Sequence, residues 1–440
     1  MSGPVIAAVA GALIAAGTLW EAFETIVLPR RATRRFRFTR FFYRSTWIPW
    51  RMVARRMKRS KRRETFLSFF GPLSLLFLFL FWAAGMVVAF GLLYYSVSGL
   101  ERAGRTAATG PHDFVTCLYF SGTTFFTLGL GDVTPYGWGE RWLSVFESGL
   151  GFGFLALVFS YLPVIYQAFS RREVNIVLLD SRAGSPPTAA ELIRRHAGPH
   201  GWSELQRLLS EWERVAAETL ESHVSYPVVA YFRSQHNNES WIAALTAILD
   251  ASALLIAGMS GFQRSAVSNR EKPHFSGSGR ATPEGAGSST QVGYGSSSAG
   301  VATAGVKTMD AADEMACARQ ARLTFAMCRH TVVDLAQVFS AAPHSLHERL
   351  PAEELDRLRA SLARDGFTLH DTPESNERLR KLREMYEPYV ESLGRFLVMD
   401  VPPWILKGEV IENWRTSAWG RISGFSSPTQ GAAVGDDHSD

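Results

Sequence analysis

Apolar and polar positions divide this chain into two unlike parts. In the first 170 residues three apolar runs stand out, Pro4–Leu28, Phe66–Ser98 and Glu140–Ser170. Each is long enough to cross a bilayer as a helix, which takes about 20 residues. A shorter run, Asp113–Phe126, lies between the second and third. It is too short to cross and reads as a re-entrant helix, with Asp113 in its first turn complementing the helix dipole. From Glu173 onward apolar residues recur at helical spacing among many polar ones, the pattern of a soluble domain.

In that second part Thr188-x-x-Glu191, after Pro186-Pro187, forms a capping box that opens a helix. Val174–Leu179 reads either as a short strand or as an extension of the preceding apolar helix. Further helices are predicted over Gly201–His223, Tyr226–Phe232, Ser240–Ala257, Met309–Phe339, Pro351–Arg364 and Glu374–Met399. The stretch from Trp241 is apolar enough for a fourth crossing. Asp250 interrupts it, and a crossing there would move the C-terminal half to the other side, so a core helix is expected. Ser265–Lys307, rich in Gly, Ser, Ala and Thr, reads as a flexible linker, and Ser426–Asp440 as a frayed tail.

Charge fixes the topology. Between Arg30 and Arg63 the chain carries fifteen Arg or Lys residues and no acid. Such density holds the loop in the cytoplasm. Arg31, Arg34, Arg37 and Arg40 recur at the spacing of a voltage-sensing helix, but a crossing there would place the Arg55–Arg63 block outside. Phe36, Phe38, Phe41, Phe42, Trp47 and Trp50 instead suit an amphipathic helix at the inner headgroup surface, with anionic lipid as its partner. The first run is then an anchor with its N-terminus outside. A cleaved leader fits less well, because the Arg cluster follows the apolar run. Arg171-Arg172 closes the third run on the cytoplasmic side.

The 440 residues suffice for more than one domain, and the net charge of +5 owes much to the basic block. The three cysteines, Cys117, Cys317 and Cys328, are too scattered for a disulfide framework or a zinc site. No G-x-G-x-x-G, phosphate loop, nucleophile elbow or H-E-x-x-H occurs. No enzyme activity, cofactor or nucleic-acid partner is expected.

The chemistry concentrates in Ser121–Pro135, whose centre, Thr127-Leu128-Gly129-Leu130-Gly131-Asp132, has the form T-x-G-x-G-D. A dehydrated cation needs oxygens in place of its water, and backbone carbonyls supply them when each is turned inward. Gly129 and Gly131 permit that turn, because they can take positive φ angles. A lone G-x-G-D is a common turn. This one follows a Ser/Thr-rich aromatic helix, precedes Val-Thr-Pro and lies between membrane helices.

The stretch resembles the pore loop of the potassium channel family. That resemblance implies an all-α membrane protein with a tetrameric pore module, in which two helices enclose a re-entrant pore helix and filter. Added to it are an N-terminal transmembrane helix and an all-helical cytoplasmic domain. The corresponding segments are 4–28 (anchor), 30–65 (basic), 66–172 (pore module), 173–264 and 308–425 (cytoplasmic), 265–307 (linker) and 426–440 (tail). Within the module the outer helix covers 66–98, the pore helix 113–126, the filter 127–132 and the inner helix 140–170.

By the same resemblance, four subunits surround one axis in an inner or plasma membrane and pass potassium passively. The carbonyls of Thr127, Leu128, Gly129, Leu130 and Gly131, with the Thr127 hydroxyl, coordinate the ion. Asp132, Thr123, Thr124, Tyr119 and Glu147 support the filter or its outer mouth. Glu147, an acid inside an apolar run, is expected to pair with a pore-helix hydroxyl such as Thr123. Gly149, Gly151, Gly153 and Pro163 are hinge positions, although the glycines equally suit close helix packing.

Two positions depart from the family pattern. Leu130 stands where Tyr or Phe is usual, and Phe126 where Thr is common. A filter held by apolar packing, with weaker discrimination against sodium, is expected. The alternatives are a non-selective cation channel and a membrane-tethered sensor or enzyme with a vestigial pore.

In the cytoplasmic part the densest polar-aromatic cluster comprises His223, Tyr226, Tyr231, Arg233, His236, Asn237 and Asn238. It suits either an unidentified ligand or an interhelical hydrogen-bond network. His330 and Asp334, one helical turn apart, lack the second pair of ligands a metal site needs.

Overall fold

The computed structural model describes residues 2–26, 38–97, 100–102, 113–198, 200–234, 239–259, 298–344 and 348–406. Among these residues the architecture is helical apart from one short strand pair. Two compact units emerge, 1–173 with 218–235, and 174–217 with 236–440.

The first unit begins with α1 (Ser2–Ile26), α2 (Phe38–Arg56), α3 (Lys61–Ser68) and α4 (Phe70–Val97). Next come β1 (Leu100–Arg102), α5 (Phe114–Phe125), β2 (Val133–Pro135) and α6 (Trp138–Ala183). β1 and β2 pair antiparallel, with Glu101 opposite Thr134. Leu73 and the fourteen residues after it are apolar save Ser74, so α4 has no polar stripe. One side of it nevertheless buries Leu75, Leu78, Trp82, Met86, Phe90 and Tyr94 against neighbouring helices. The exposed side shows Leu76, Phe77, Leu80 and Phe81, side chains suited to lipid.

α6 does not stop at Arg171-Arg172. Val174–Leu179 continues the helix, because no Gly or Pro intervenes before Gly184. Gly184 has φ +76° and its N–H donates to the Asp180 carbonyl at 2.8 Å, a glycine-terminated end followed by Pro186. The predicted helix over Tyr226–Phe232 is a five-residue 3₁₀ turn, Pro227–Tyr231. So short a segment opening on proline favours the tighter i→i+3 winding.

The second unit holds α7 (Ala189–Arg195), most of α8 (Gly201–Ser225), α9 (Trp241–Gly258) and α10 (Ser298–Val338). It ends with α11 (Ala352–Arg364), α12 (Pro373–Glu384) and α13 (Glu387–Leu397). Every residue of α9 is buried, among α7, α10, α12 and α13. A helix covered all round by protein has no face for lipid, so α9 is the core of this unit although its length and hydropathy suit a membrane. Asp250, at its centre, is met by Arg349 at 2.7 Å and by the Tyr386 hydroxyl. A buried carboxylate is tolerated only with such partners.

Two expectations change here. Glu374–Met399 is two helices rather than one, because Pro388 lacks the N–H for the ladder and its ring would clash with the Glu384 carbonyl. The expected linker 265–307 is helical over its last ten residues, since α10 begins at Ser298. The rest of that linker, the tail, most of the Arg31–Arg40 repeat, and His236, Asn237 and Asn238 lie outside the described residues.

Candidate functional site: the loop after α5

The site is built from the end of α5 and the six residues after it. α5 opens on Asp113, whose carboxylate accepts from the Val115 N–H. Its buried face carries Cys117, Phe120 and Phe125, packed on Ala83, Met86, Phe90 and Tyr94 of α4. Phe120 meets the Tyr94 ring edge-on at 4.9 Å. At the end of α5 the Thr127 N–H donates to Thr124 O at 3.0 Å, and the Leu128 N–H to Thr123 O at 2.7 Å. These bonds tie the following loop to the helix terminus.

Beyond that point Thr127, Gly129 and Gly131 have φ of +56°, +56° and +77°. Successive peptide carbonyls of an ordinary strand point to opposite sides. Left-handed residues at every second position are the backbone pattern that can turn them toward one side. The geometry is strained for Thr127 and cheap for the glycines. Leu128 and Leu130 are exposed on the single chain, at 63% and 64%. Asp132 follows, and its carboxylate interacts with the Tyr119 hydroxyl. Val133 then buries its side chain as β2 pairs with β1.

Behind the loop Glu147 of α6 is fully buried. Its partners are not Thr123, whose hydroxyl donates to the Phe120 carbonyl at 2.9 Å. They are Tyr94 of α4, at 2.8 Å, and Ser121 of α5, at 2.5 Å. Ser121 Oγ also lies 2.9 Å from the Val87 carbonyl oxygen. One hydroxyl hydrogen cannot serve both acceptors. The set closes when the carboxyl carries a hydrogen and donates it to Ser121, which leaves the hydroxyl hydrogen for Val87. Three helices thus meet at one side chain. The expected hydroxyl of α5 is thus Ser121 in place of Thr123, while sequence reading missed Tyr94, whose available signal was a phenol inside an apolar run that needs a partner when buried.

The glycines of α6 differ in role. A Cβ at Gly151 would lie 1.9 Å from the Phe125 carbonyl oxygen, whereas Gly149 and Gly153 have no neighbour within 4 Å. Gly151 is therefore the place where α6 approaches the end of α5. Helix α6 runs through Pro163 without interruption.

Among the described residues of the polar-aromatic cluster, hydrogen bonds and ring contacts form a network around Arg172. Arg172 of α6 is buried and donates to the Val229 carbonyl at 3.0 Å and the Phe232 carbonyl at 2.8 Å. It also meets Glu173 at 3.1 Å and His223 Nε2 at 3.1 Å. Tyr226 meets Tyr161 edge-on, and Arg233 pairs with Glu64 at 3.4 Å. His330 and Asp334 are 3.6 Å apart, and no cluster of metal-ligating residues occurs among the described residues.

Burial, with the Arg172 cation beside it, holds His223 well below the ordinary imidazole value. An unfolded imidazole takes a proton near pH 6.5 and this folded one does not, so its contribution to stability is full above about pH 6.5 and declines as pH falls below it. The thermal midpoint of the full chain is expected to drop on acidification from pH 7 to 5. His223→Gln should flatten that drop; an unchanged slope would exclude His223 as a source.

Residues 82–167 match the profile of a family described as Ion channel. An uncharacterized membrane protein, YdjJ, of Bacillus subtilis (strain 168) is 24% identical over 186 residues, 42% of this chain and 52% of the relative. The chain thus spans about half the length of the curated relative it matches. No solved structure matches. These similarities support an ion channel in a membrane, and the matched residues contain α5, the loop and Glu147.

Proposed function

We propose that this chain is one subunit of a homotetrameric potassium channel in the cell or inner membrane. The observation that carries the reading is the alternation of left-handed backbone at Thr127, Gly129 and Gly131, directly after a helix that ends at the loop. Four such loops about one axis surround a dehydrated cation with the carbonyls of 127–131, and the Thr127 hydroxyl adds a ring at the inner mouth. Asp132 stands at the outer mouth, where it draws cations in. The partial negative charge at the C-terminal end of α5 favours a cation below the filter. A single loop encloses nothing, which is why four copies are required.

In this reading α1 has its N-terminus outside, the basic segment lies in the cytoplasm, and the second unit is cytoplasmic and gates α6. Potassium is the permeant ion, and no cofactor takes part. Gating through α6 is supported by its continuity, since one helix runs from Trp138 to Ala183 with residues in both units.

Flux into liposomes holding the purified full-length protein tests the proposal. Potassium uptake blocked by barium is expected. Absence of potassium flux from the folded full chain in every lipid and ionic condition tested would refute it. Leu130 favours a second reading, a cation channel with poor selectivity, because no phenol braces the filter at that position. Leu130→Tyr is expected to shift the reversal potential toward that of potassium when sodium is the opposing ion. Identical, fully selective potentials in both proteins would remove the second reading.

A further inference from the structure

We propose that the outward face of α2, with the turn leading into α3, is a docking surface for anionic phospholipid headgroups, and that lipid held there steadies the lower part of α6 through Tyr231. Only the pore-lining role of α6 rests on the function proposed above; the surface itself does not.

At 100° per residue, Tyr43, Trp47, Trp50 and Ala54 share one side of α2. Tyr43, Trp47 and Ala54 are buried, and Trp50 stacks on Phe66 at 4.4 Å. The opposite side presents Phe41, Met52 and Arg56, with Arg44 on its flank, all exposed. Lys58, Lys61 and Arg62 follow, exposed as well. From Phe38 to Arg63 there is no acid. Glu64, the next residue, is engaged by Arg63 at 3.0 Å and Arg233 at 3.4 Å. Cations interleaved with exposed Phe41 and Met52 fit a headgroup boundary, where phosphates meet the charges and acyl chains cover the apolar groups. α4 begins at Phe70, two residues after α3 ends, so these charges sit at the mouth of a membrane-length helix. A nucleic acid would satisfy the cations and leave Phe41 and Met52 in water.

The inner side of α2 provides the coupling. Tyr43 stacks on Tyr231 at 5.9 Å, and Trp47 meets the same ring at 5.0 Å. Tyr231 also packs on Phe70 of α4 at 5.1 Å. It belongs to the turn whose Val229 carbonyl, with that of Phe232, holds Arg172 of α6. A shift of α2 therefore reaches Arg172 through one ring and one short turn.

The test uses the full chain in detergent, titrated with short-chain phosphatidylglycerol or phosphatidylcholine and read by native mass spectrometry. Wild type is expected to prefer phosphatidylglycerol. The variant Arg56→Gln/Lys58→Gln/Lys61→Gln/Arg62→Gln, all surface changes, should lose about 5-fold in affinity for each cation removed, the equivalent of ~1 kcal/mol per cation. Hydrogen exchange at amides 228–232 should slow on adding phosphatidylglycerol to wild type and stay unchanged in the variant. Equal affinity for the two lipids, or undiminished binding by the variant, overturns the surface. Displacement of the lipid by a single-stranded RNA overturns the choice of occupant. Lipid binding without slowed exchange overturns the coupling. A protein that conducts in no vesicle refutes the proposed function and leaves both of these readouts intact.

Discussion

Gly129→Ala is expected to reduce potassium flux to below about one hundredth of wild type while the protein still folds and reaches the membrane. The residue has φ +56°, and no neighbour lies within 4 Å of where a Cβ would stand, so the effect comes from backbone strain rather than collision. Left-handed backbone costs an L-residue about 1–2 kcal/mol. In the proposed tetramer four subunits carry the change together, so roughly 4–8 kcal/mol opposes the conducting arrangement. Thr127 holds the same φ with a side chain, but its N–H is fixed to the Thr124 carbonyl at 3.0 Å. Gly129 has only the longer bond to Thr123 O, at 3.3 Å. Flux into liposomes, with circular dichroism to confirm folding, measures this. Flux equal to wild type would show that the left-handed turn at 129 plays no part in conduction.

Replacing Glu147 separates its hydrogen bonds from its charge. Glu147→Ala leaves Tyr94 and Ser121 without their shared partner in a buried site. Ser121 keeps the Val87 carbonyl, whereas the buried Tyr94 hydroxyl is left unsatisfied, so a loss of about 1–3 kcal/mol per subunit is expected, seen as a lower thermal midpoint and lost conduction. Glu147→Gln has nearly the same shape. Its amide N–H₂ replaces the carboxyl hydrogen toward Ser121, and its oxygen still accepts from Tyr94. It should therefore stay close to wild type in both measurements. If Gln is as damaging as Ala, the group works as a charged carboxylate and the hydrogen count above is wrong. If both resemble wild type, the junction of α4, α5 and α6 does not depend on this side chain.

Much of the segment 66–172 is visible in the sequence because its signals are local. The predicted pore helix Asp113–Phe126 and the observed Phe114–Phe125 differ by one residue at each end, since capping by Asp113 and the glycines that follow are set within a few positions. The basic block is equally local, and it yields α2 with aromatic residues on its inner side. Boundaries failed where a breaker was misjudged. Pro388 divides the stretch read as one helix over Glu374–Met399, and α6 runs past Arg171-Arg172 because paired arginines do not end a helix.

The sequence by itself determined which segments are apolar enough to lie in a membrane, and where glycine allows the backbone to turn its carbonyls to one side. Both are properties of neighbouring residues, fixed by transfer free energy and by the steric limits on φ. Only the tertiary structure decided what those segments meet. Glu147 finds Ser121, 26 positions away, and Tyr94, 53 positions away. Gly151 is a point of close approach because Phe125 lies against it, and α9 is a core helix because protein covers every side of it. Hydropathy cannot distinguish a helix wrapped in lipid from one wrapped in protein, because both remove the same apolar surface from water.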